Sequence, residues 1–211
     1  MNNIKIPLTP LSSDVFAPYG DVIEVTDRNK IFPINDGLAN RHHDVAQVDV
    51  DEQNGHAIIS IIDTKSTPLP LRVLVMERHP IGSQAFIPIG NRPYVVLVAP
   101  SGDFDHQNLQ GFLAQPHQGI NYAKGTWHHA CISLDDSNQF LVIDRGGQGE
   151  NCDFISRFFT PQASILEDPV TGSAHCSLIP FWSLKLEKNE LNAIQISDRI
   201  GKLQCQNRKD R

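Results

Sequence analysis

Apolar residues in the first three quarters of the chain fall in short runs separated by Gly, Pro, Asn and Asp. Residues 21–25, 56–62, 71–79, 84–89, 94–99, 126–134 and 139–145 each have the β-branched and aromatic content of a strand. Turn-forming clusters sit between them, as at Pro100, Ser101 and Gly102 and again over Asp135, Asp136, Ser137 and Asn138. Such a pattern predicts an antiparallel barrel or sandwich. One stretch differs: over 106–114, Leu109, Phe112 and Leu113 recur at helical spacing and predict a short helix. After about residue 153 the texture changes. A loop containing Pro and Gly leads into 173–186, where apolar residues again recur at helical spacing, then into strand-like runs at 191–196 and 202–205 and a charged end at 207–211. The chain reads as a mainly β unit over 1–153 followed by an α+β fragment over 154–211.

Composition narrows the partners. With 211 residues and 40% hydrophobic content, the chain can bury a sizeable core. Lys and Arg number 18 against 24 Asp and Glu, a net charge of -6 with the charges dispersed, which gives no phosphate-neutralising surface for nucleic acid. No run approaches the roughly 20 apolar residues that span a bilayer, and the first residues show no secretory leader, so a cytoplasmic protein with no membrane partner is expected. Cys131, Cys152, Cys176 and Cys205 are widely separated, as expected of independent reduced thiols rather than a disulfide framework or thiolate zinc site.

The candidate chemistry lies in three β runs. If 73–79 is one strand, Val73, Val75, Glu77 and His79 share a face. A carboxylate and an imidazole continuing an apolar row into a barrel are costly to bury without a cation or charged partner. In the next run Gln84 shares a face with Phe86 and Pro88, and its amide oxygen can approach the same place. Further along, His128 lies in a row with Ala130, Ile132 and Leu134, the more continuously apolar and hence inner row, which turns His129 outward or toward a second subunit. Plainer readings stand beside these. Glu77 and Arg78 can pair with surface neighbours, His128 can be a packing residue beside Trp127, and Asp144 with Arg145 can form a structural ion pair before Gly146 and Gly147.

The spacing resembles the cupin superfamily, whose first motif has His-x-His and then Glu before a Gly, and whose second has Pro-x-Gly-x-x-His. Here Glu77 stands for a His, Gln84 for the Glu and Ala123 for the Pro, with Gly90, Gly125 and His128 in place. The imidazole pair with carboxylate and amide oxygens is a mixed N/O set suited to nickel, manganese, iron or zinc. Six segments, FAPYGDVIE (16–24), INDGLANRH (34–42), ERHPIGSQAFIP (77–88), GINY (119–122), GTWHH (125–129) and DRGG (144–147), together resemble ureidoglycolate lyases over about residues 8–153.

That resemblance implies a cupin-like barrel or sandwich, a homodimer, a divalent ion with nickel foremost, and cleavage of ureidoglycolate to glyoxylate and urea in allantoin breakdown, within purine catabolism. It further implies Glu77, His79, Gln84 and His128 around the ion, with His129, Lys124 or Asp144 for proton transfer. Asn35, Arg41, His42 and Arg145 are then the candidates for substrate binding, an Arg suiting bidentate capture of a carboxylate. The His-to-Glu and Glu-to-Gln departures leave open a non-catalytic module that binds a small organic acid.

The last 60 or so residues resemble a different family. DFISRFF (153–159), EDPVTGSAHC (167–176), PFW (180–182) and QIS (195–197) are similar to phenazine-biosynthesis-like isomerases, relatives of diaminopimelate epimerase. That family's first half, which supplies its proton-transferring Glu, has no counterpart here, so remnant isomerase activity is the weaker functional alternative. A half-fold lacks partner strands, and the tail is expected to form its helix but pack poorly and leave apolar edges exposed.

Overall fold

The computed structural model describes residues 5–73, 75–147, 154–158, 172–186, 189–195 and 201–206. Cys152, Asp153, residues 167–171 of the EDPVTGSAHC motif and the charged end at 207–211 lie outside them. In chain order the first elements are β1 (Leu8–Pro10), α1 (Ser13–Phe16), β2 (Gly20–Ile23), β3 (Lys30–Ile34), β4 (Ala39–His43), β5 (His56–Thr64), β6 (Val75–Arg78), β7 (Gln84–Pro88) and β8 (Tyr94–Ala99). They are followed by β9 (Gln110–Ala114), β10 (Gly119–Tyr122), β11 (Trp127–His128), β12 (Ile132–Ser133), β13 (Asn138–Gly146), β14 (Phe154–Phe158), α2 (Gly172–Leu186), β15 (Glu190–Gln195) and β16 (Gly201–Gln206).

Two sheets face each other. One runs β1-β9-β8-β11-β6-β14-β15-β16, with β12 also on β8; the other runs β2-β10-β7-β13-β5, and β3 and β4 form a separate hairpin. Pairing is antiparallel except at β1–β9 and β14–β15. The mainly β, antiparallel sandwich expected from the strand pattern is what forms. Phe16, Tyr94, Phe112, Ile120, Phe140 and Val142 fill the space between the sheets, and burying a side chain of this size stabilises by roughly 1.5–3 kcal/mol. Strand β8 shows why its sequence is apolar throughout. Tyr94, Val96 and Val98 point into this core, whereas Val95, Leu97 and Ala99 meet Met76, Trp127 and Ile132 in a second cluster on the opposite face. A strand covered on both faces has no polar row.

The same two-sided burial corrects the helix expected over 106–114. Residues His106–Asn108 make a single 3-10 turn, capped by the Asp105 carboxylate accepting from Gln107 N–H at 2.9 Å. The chain then runs as β9, with Phe112 in the inner core and Leu113 against the second cluster. Spacing of three and four suits a helix face, but neighbouring apolar residues also suit a strand buried on both sides.

The long strand expected over 71–79 is regular only across β6. Val73 packs with the second cluster, on the face opposite Glu77, because alternation does not extend back to it. The strand expected over 126–134 is also broken. His128 pairs with Val98 and Ile132 with Val95, so four residue steps on one side oppose three on β8. That extra residue is a bulge, and it reverses parity. His128 therefore faces the inner core, while Ile132 and Leu134 lie with Trp127 on the other face. The proposed inner row joining His128 to Ile132 and Leu134 does not exist.

The tail packs better than its sequence suggests. β14 pairs antiparallel with β6, Ile155 opposite Arg78 and Phe158 opposite Val75, and β15 and β16 extend the sheet beyond it. Trp182, Leu191 and Ala193 are buried together, with Leu178, Ile179 and Cys205 against them. On α2 these inward residues recur at one-turn spacing, 178–179 and 182–183, whereas Phe181 and Leu184 face solvent. Thus the expected helix forms, and the unpaired edge is covered by a strand of the β unit. No helix among the described residues is long and apolar enough to cross a membrane.

Candidate functional site

At one end of the inter-sheet space the apolar core gives way to polar side chains from both walls. From one sheet, antiparallel pairing of β11 with β6 sets His128 opposite Glu77. His79 follows one residue past β6, and its carbonyl accepts from Gly125 N–H at 2.9 Å, which ties the two loops together. The imidazoles of His79 and His128 lie 5.2 Å apart between ring centres. From the other sheet come Tyr122 and Gln84, paired across β10 and β7. Because Ile143 pairs with Ala85, the next position brings Asp144 beside Gln84, whose amide donates to Asp144 Oδ2 at 3.4 Å. The Tyr122 and His128 rings stack at 4.3 Å and 14°, closing the two walls on each other.

The hydrogen bonds fix the proton positions. His128 Nδ1 lies 2.9 Å from the Thr126 carbonyl oxygen. A carbonyl only accepts, so Nδ1 carries the hydrogen and Nε2 presents its lone pair to the cavity. That lone pair faces Glu77 Oε1 at 3.6 Å. Two acceptors held this close call for a proton or a metal cation between them. Burial pushes the Glu77 carboxyl up to about 7, opposed by the Lys185 ammonium. Burial also pushes His128 down to about 4, and it drives His79 well below the usual imidazole range, with His128 and Lys185 adding to the effect. Both imidazoles are therefore neutral at pH 7, the form that ligates metal.

One ligand atom from each of Glu77, His79 and His128 lies within 4.8 Å of the other two. His79 Nε2, His128 Nε2, Gln84 Oε1 and Asp144 Oδ1 are buried with no hydrogen-bond partner among the described residues, a costly state unless a ligand satisfies them. The donor set is nitrogen and oxygen without thiolate, which fits a divalent ion.

The remaining sequence candidates are placed differently. Lys124 is held by Asp49 at 2.7 Å and Glu52 at 3.0 Å, and the ammonium acting on the triad is that of Lys185. His129 is half-buried, its Nδ1 2.9 Å from the Ala130 oxygen. Asp144 and Arg145 part company: Asp144 turns into the site, while Arg145 donates to the Glu52 carbonyl at 2.6 Å. Asn35 sits at the β3–β4 turn with φ 53°, and Arg41 and His42 lie on β4. Among the described residues no hydrogen bond or ion pair links these three to Glu77, His79 or His128.

Two further side chains at this end of the sandwich come from α2 and are absent from the sequence candidates. Trp182 approaches His79 edge-on, ring centres 5.9 Å apart. Lys185 Nζ lies 3.1 Å from Asp144 Oδ2 and 5.1 Å above the Trp182 ring. The sequence signal was a Trp and a Lys at one-turn spacing on a helix facing an incomplete sheet.

A family model described as ureidoglycolate lyase matches residues 3–165. A ureidoglycolate lyase of Burkholderia mallei (strain NCTC 10229) is 46% identical over 146 residues, covering 69% of this chain and 85% of its own length. Another, from Pseudomonas paraeruginosa (strain DSM 24068 / PA7), is 44% identical over 170 residues, covering 80% of this chain and 98% of its own. Among solved structures, a phenazine biosynthesis PhzC/PhzF protein from Clostridium difficile (strain 630) is 56% identical over 30% of this chain and 24% of its own, with a TM-score of 0.28. With Glu77, His79 and His128 inside the matched span, the chain belongs to the ureidoglycolate lyase family.

Proposed function

We propose that this chain is a ureidoglycolate lyase whose metal-assisted site is built on Glu77, His79 and His128, with the Gln84 amide oxygen as a fourth donor. The observation that carries the reading is the meeting of the Glu77, His79 and His128 ligand atoms at one end of the sandwich, where His79 Nε2, His128 Nε2 and Gln84 Oε1 are buried without a hydrogen-bond partner among the described residues. A divalent ion, when bound, supplies a Lewis acid that lowers the pKa of the substrate hydroxyl. Nickel is the ion the family suggests, and manganese, iron and zinc suit the same donors.

The protein's own part is proton transfer and exclusion of water. Asp144 Oδ1 is buried and free to accept. It takes the hydroxyl proton, the C–O bond becomes the aldehyde of glyoxylate, the C–N bond breaks, and the same proton returns to the departing urea nitrogen. No water is consumed. Trp182 and Tyr122 wall the reacting carbon from solvent, since both are buried. The test is to supply ureidoglycolate to the full chain with nickel, with manganese and with neither, and follow glyoxylate and urea. Absence of both products under every condition refutes the lyase reading, and glyoxylate binding without turnover would favour the non-catalytic module.

A homodimer is the assembly we favour. The outer face of β7, β13 and β5 carries Ile87, Leu141, Ile143, Ile59 and Ile61, with Ile59 and Ile61 70% and 62% exposed. A second copy laid on this apolar face would cover it. The free thiols Cys131 and Cys205 suit the cytoplasm. We read residues 154–211 as a phenazine-biosynthesis-like fragment without the partner half its own chemistry needs.

A further inference from the structure

We infer that α2 is a lid over the triad and that Lys185 on it is the residue that receives the substrate's carboxylate. This rests on the lyase reading and extends it to a segment outside the 3–165 family match. The geometry is specific. α2 lies against β15 and β16, which extend the sheet that carries Glu77, and its inward edge places Trp182 beside His79 and Lys185 beside Asp144. Lys185 is an exposed residue at the edge of the site, and its Nζ reaches inward to Asp144, whose side chain is 10% exposed.

An ammonium has three N–H donors, and Asp144 is its hydrogen-bonding or ion-pairing partner among the described residues. Charge points the same way. The Lys185 ammonium acts on Glu77, His79 and His128 alike. A divalent ion plus Lys185 against Glu77 and Asp144 leaves one unmatched positive charge, which a single carboxylate monoanion neutralises. The chemical class recognised is a small 2-hydroxy or 2-oxo acid, the hydroxyl or carbonyl toward the triad and the carboxylate toward α2. Moving Lys185 from Asp144 to the carboxylate would also free Asp144 to take a proton.

The experiment compares the full chain with Lys185→Met, which keeps the apolar stem, and Lys185→Arg, which keeps the charge. Each is loaded with nickel or manganese and titrated with glycolate and with its neutral analogue glycolamide, with Trp182 fluorescence as readout and Trp182→Phe as the control for signal origin. Losing a charge-assisted contact should weaken glycolate about 10-fold or more in Lys185→Met. Glycolamide binding should change less than about 3-fold, and Lys185→Arg should recover most of the glycolate affinity. In turnover, Lys185→Met should raise KM for ureidoglycolate by a similar factor with a smaller change in kcat. Equal weakening of glycolate and glycolamide, or unchanged glycolate binding, overturns the inference while leaving the lyase reading standing. Lack of turnover in the parent defeats the lyase reading yet leaves the glycolate comparison interpretable.

Discussion

Replacing His128 by Phe separates the imidazole's chemistry from its packing. The His128 side chain is 2% exposed and stacks on Tyr122 at 4.3 Å and 14°. A phenyl ring retains that stack, worth about 0.5–1.5 kcal/mol, and leaves no cavity. It deletes the Nδ1 hydrogen bond to the Thr126 carbonyl, costing about 1 kcal/mol, so the folded chain should survive with a melting temperature lowered by only a few degrees. Metal binding should suffer far more. Apparent binding energies of four-ligand structural sites, about 10–16 kcal/mol, imply about 3 kcal/mol per ligand, so nickel or manganese affinity should fall at least about 100-fold. Calorimetric titration of parent and variant measures this directly, with glyoxylate release falling in step. A Kd within about 3-fold of the parent, with folding intact, would refute the assignment of His128 Nε2 as a ligand.

Other expectations are simpler. His128 has its pKa pushed down to about 4 by burial, so between pH 6.5 and 4 the unfolded metal-free chain binds a proton that the folded one does not. Parent stability should fall as pH drops through that window, by about 3 kcal/mol from this group. Because the Phe variant escapes the loss, melts of the two across pH 4 to 6.5 should converge and then cross in its favour, and parallel curves would be evidence against it. Ile61→Asp, on the exposed apolar face, should shift the chain to a monomer in light scattering; an unchanged mass places any interface elsewhere. Trp127 is fully buried, with the Arg78 guanidinium 4.8 Å above its ring, so Trp127→Ala should lose about 3–5 kcal/mol in urea unfolding.

Much of the sandwich is legible in the sequence because alternation and turn residues are local signals, as in 84–89 and 94–99. Glu77 and His79 could be read as inward by parity, since only one residue separates them. For His128 the apolar row at 130, 132 and 134 is no guide, because the bulge displaces it, and the pairing with Val98 and the stack on Tyr122 set its inward direction. The β3–β4 hairpin is poorly marked in the sequence although Asn35, Asp36 and Gly37 adopt the left-handed turn their types favour, because β3 contains Pro33 and few alternating apolar positions. For Lys185 the local signal is its one-turn spacing from Trp182, which does not reveal Asp144 as its partner. Its placement beside Asp144 goes with the pairing of β14 with β6, which joins β15 and β16 to the sheet that carries Glu77.

That pairing has a practical consequence for anyone shortening this protein. β14 hydrogen-bonds the strand bearing Glu77, Ser156 lying opposite it. Ending the chain before Phe154 would strip a neighbour from the strand that presents the carboxylate. A loss of turnover in such a shortened protein would therefore report a frayed sheet as readily as a missing side chain, so point substitutions are the sounder instrument for dissecting what α2 does.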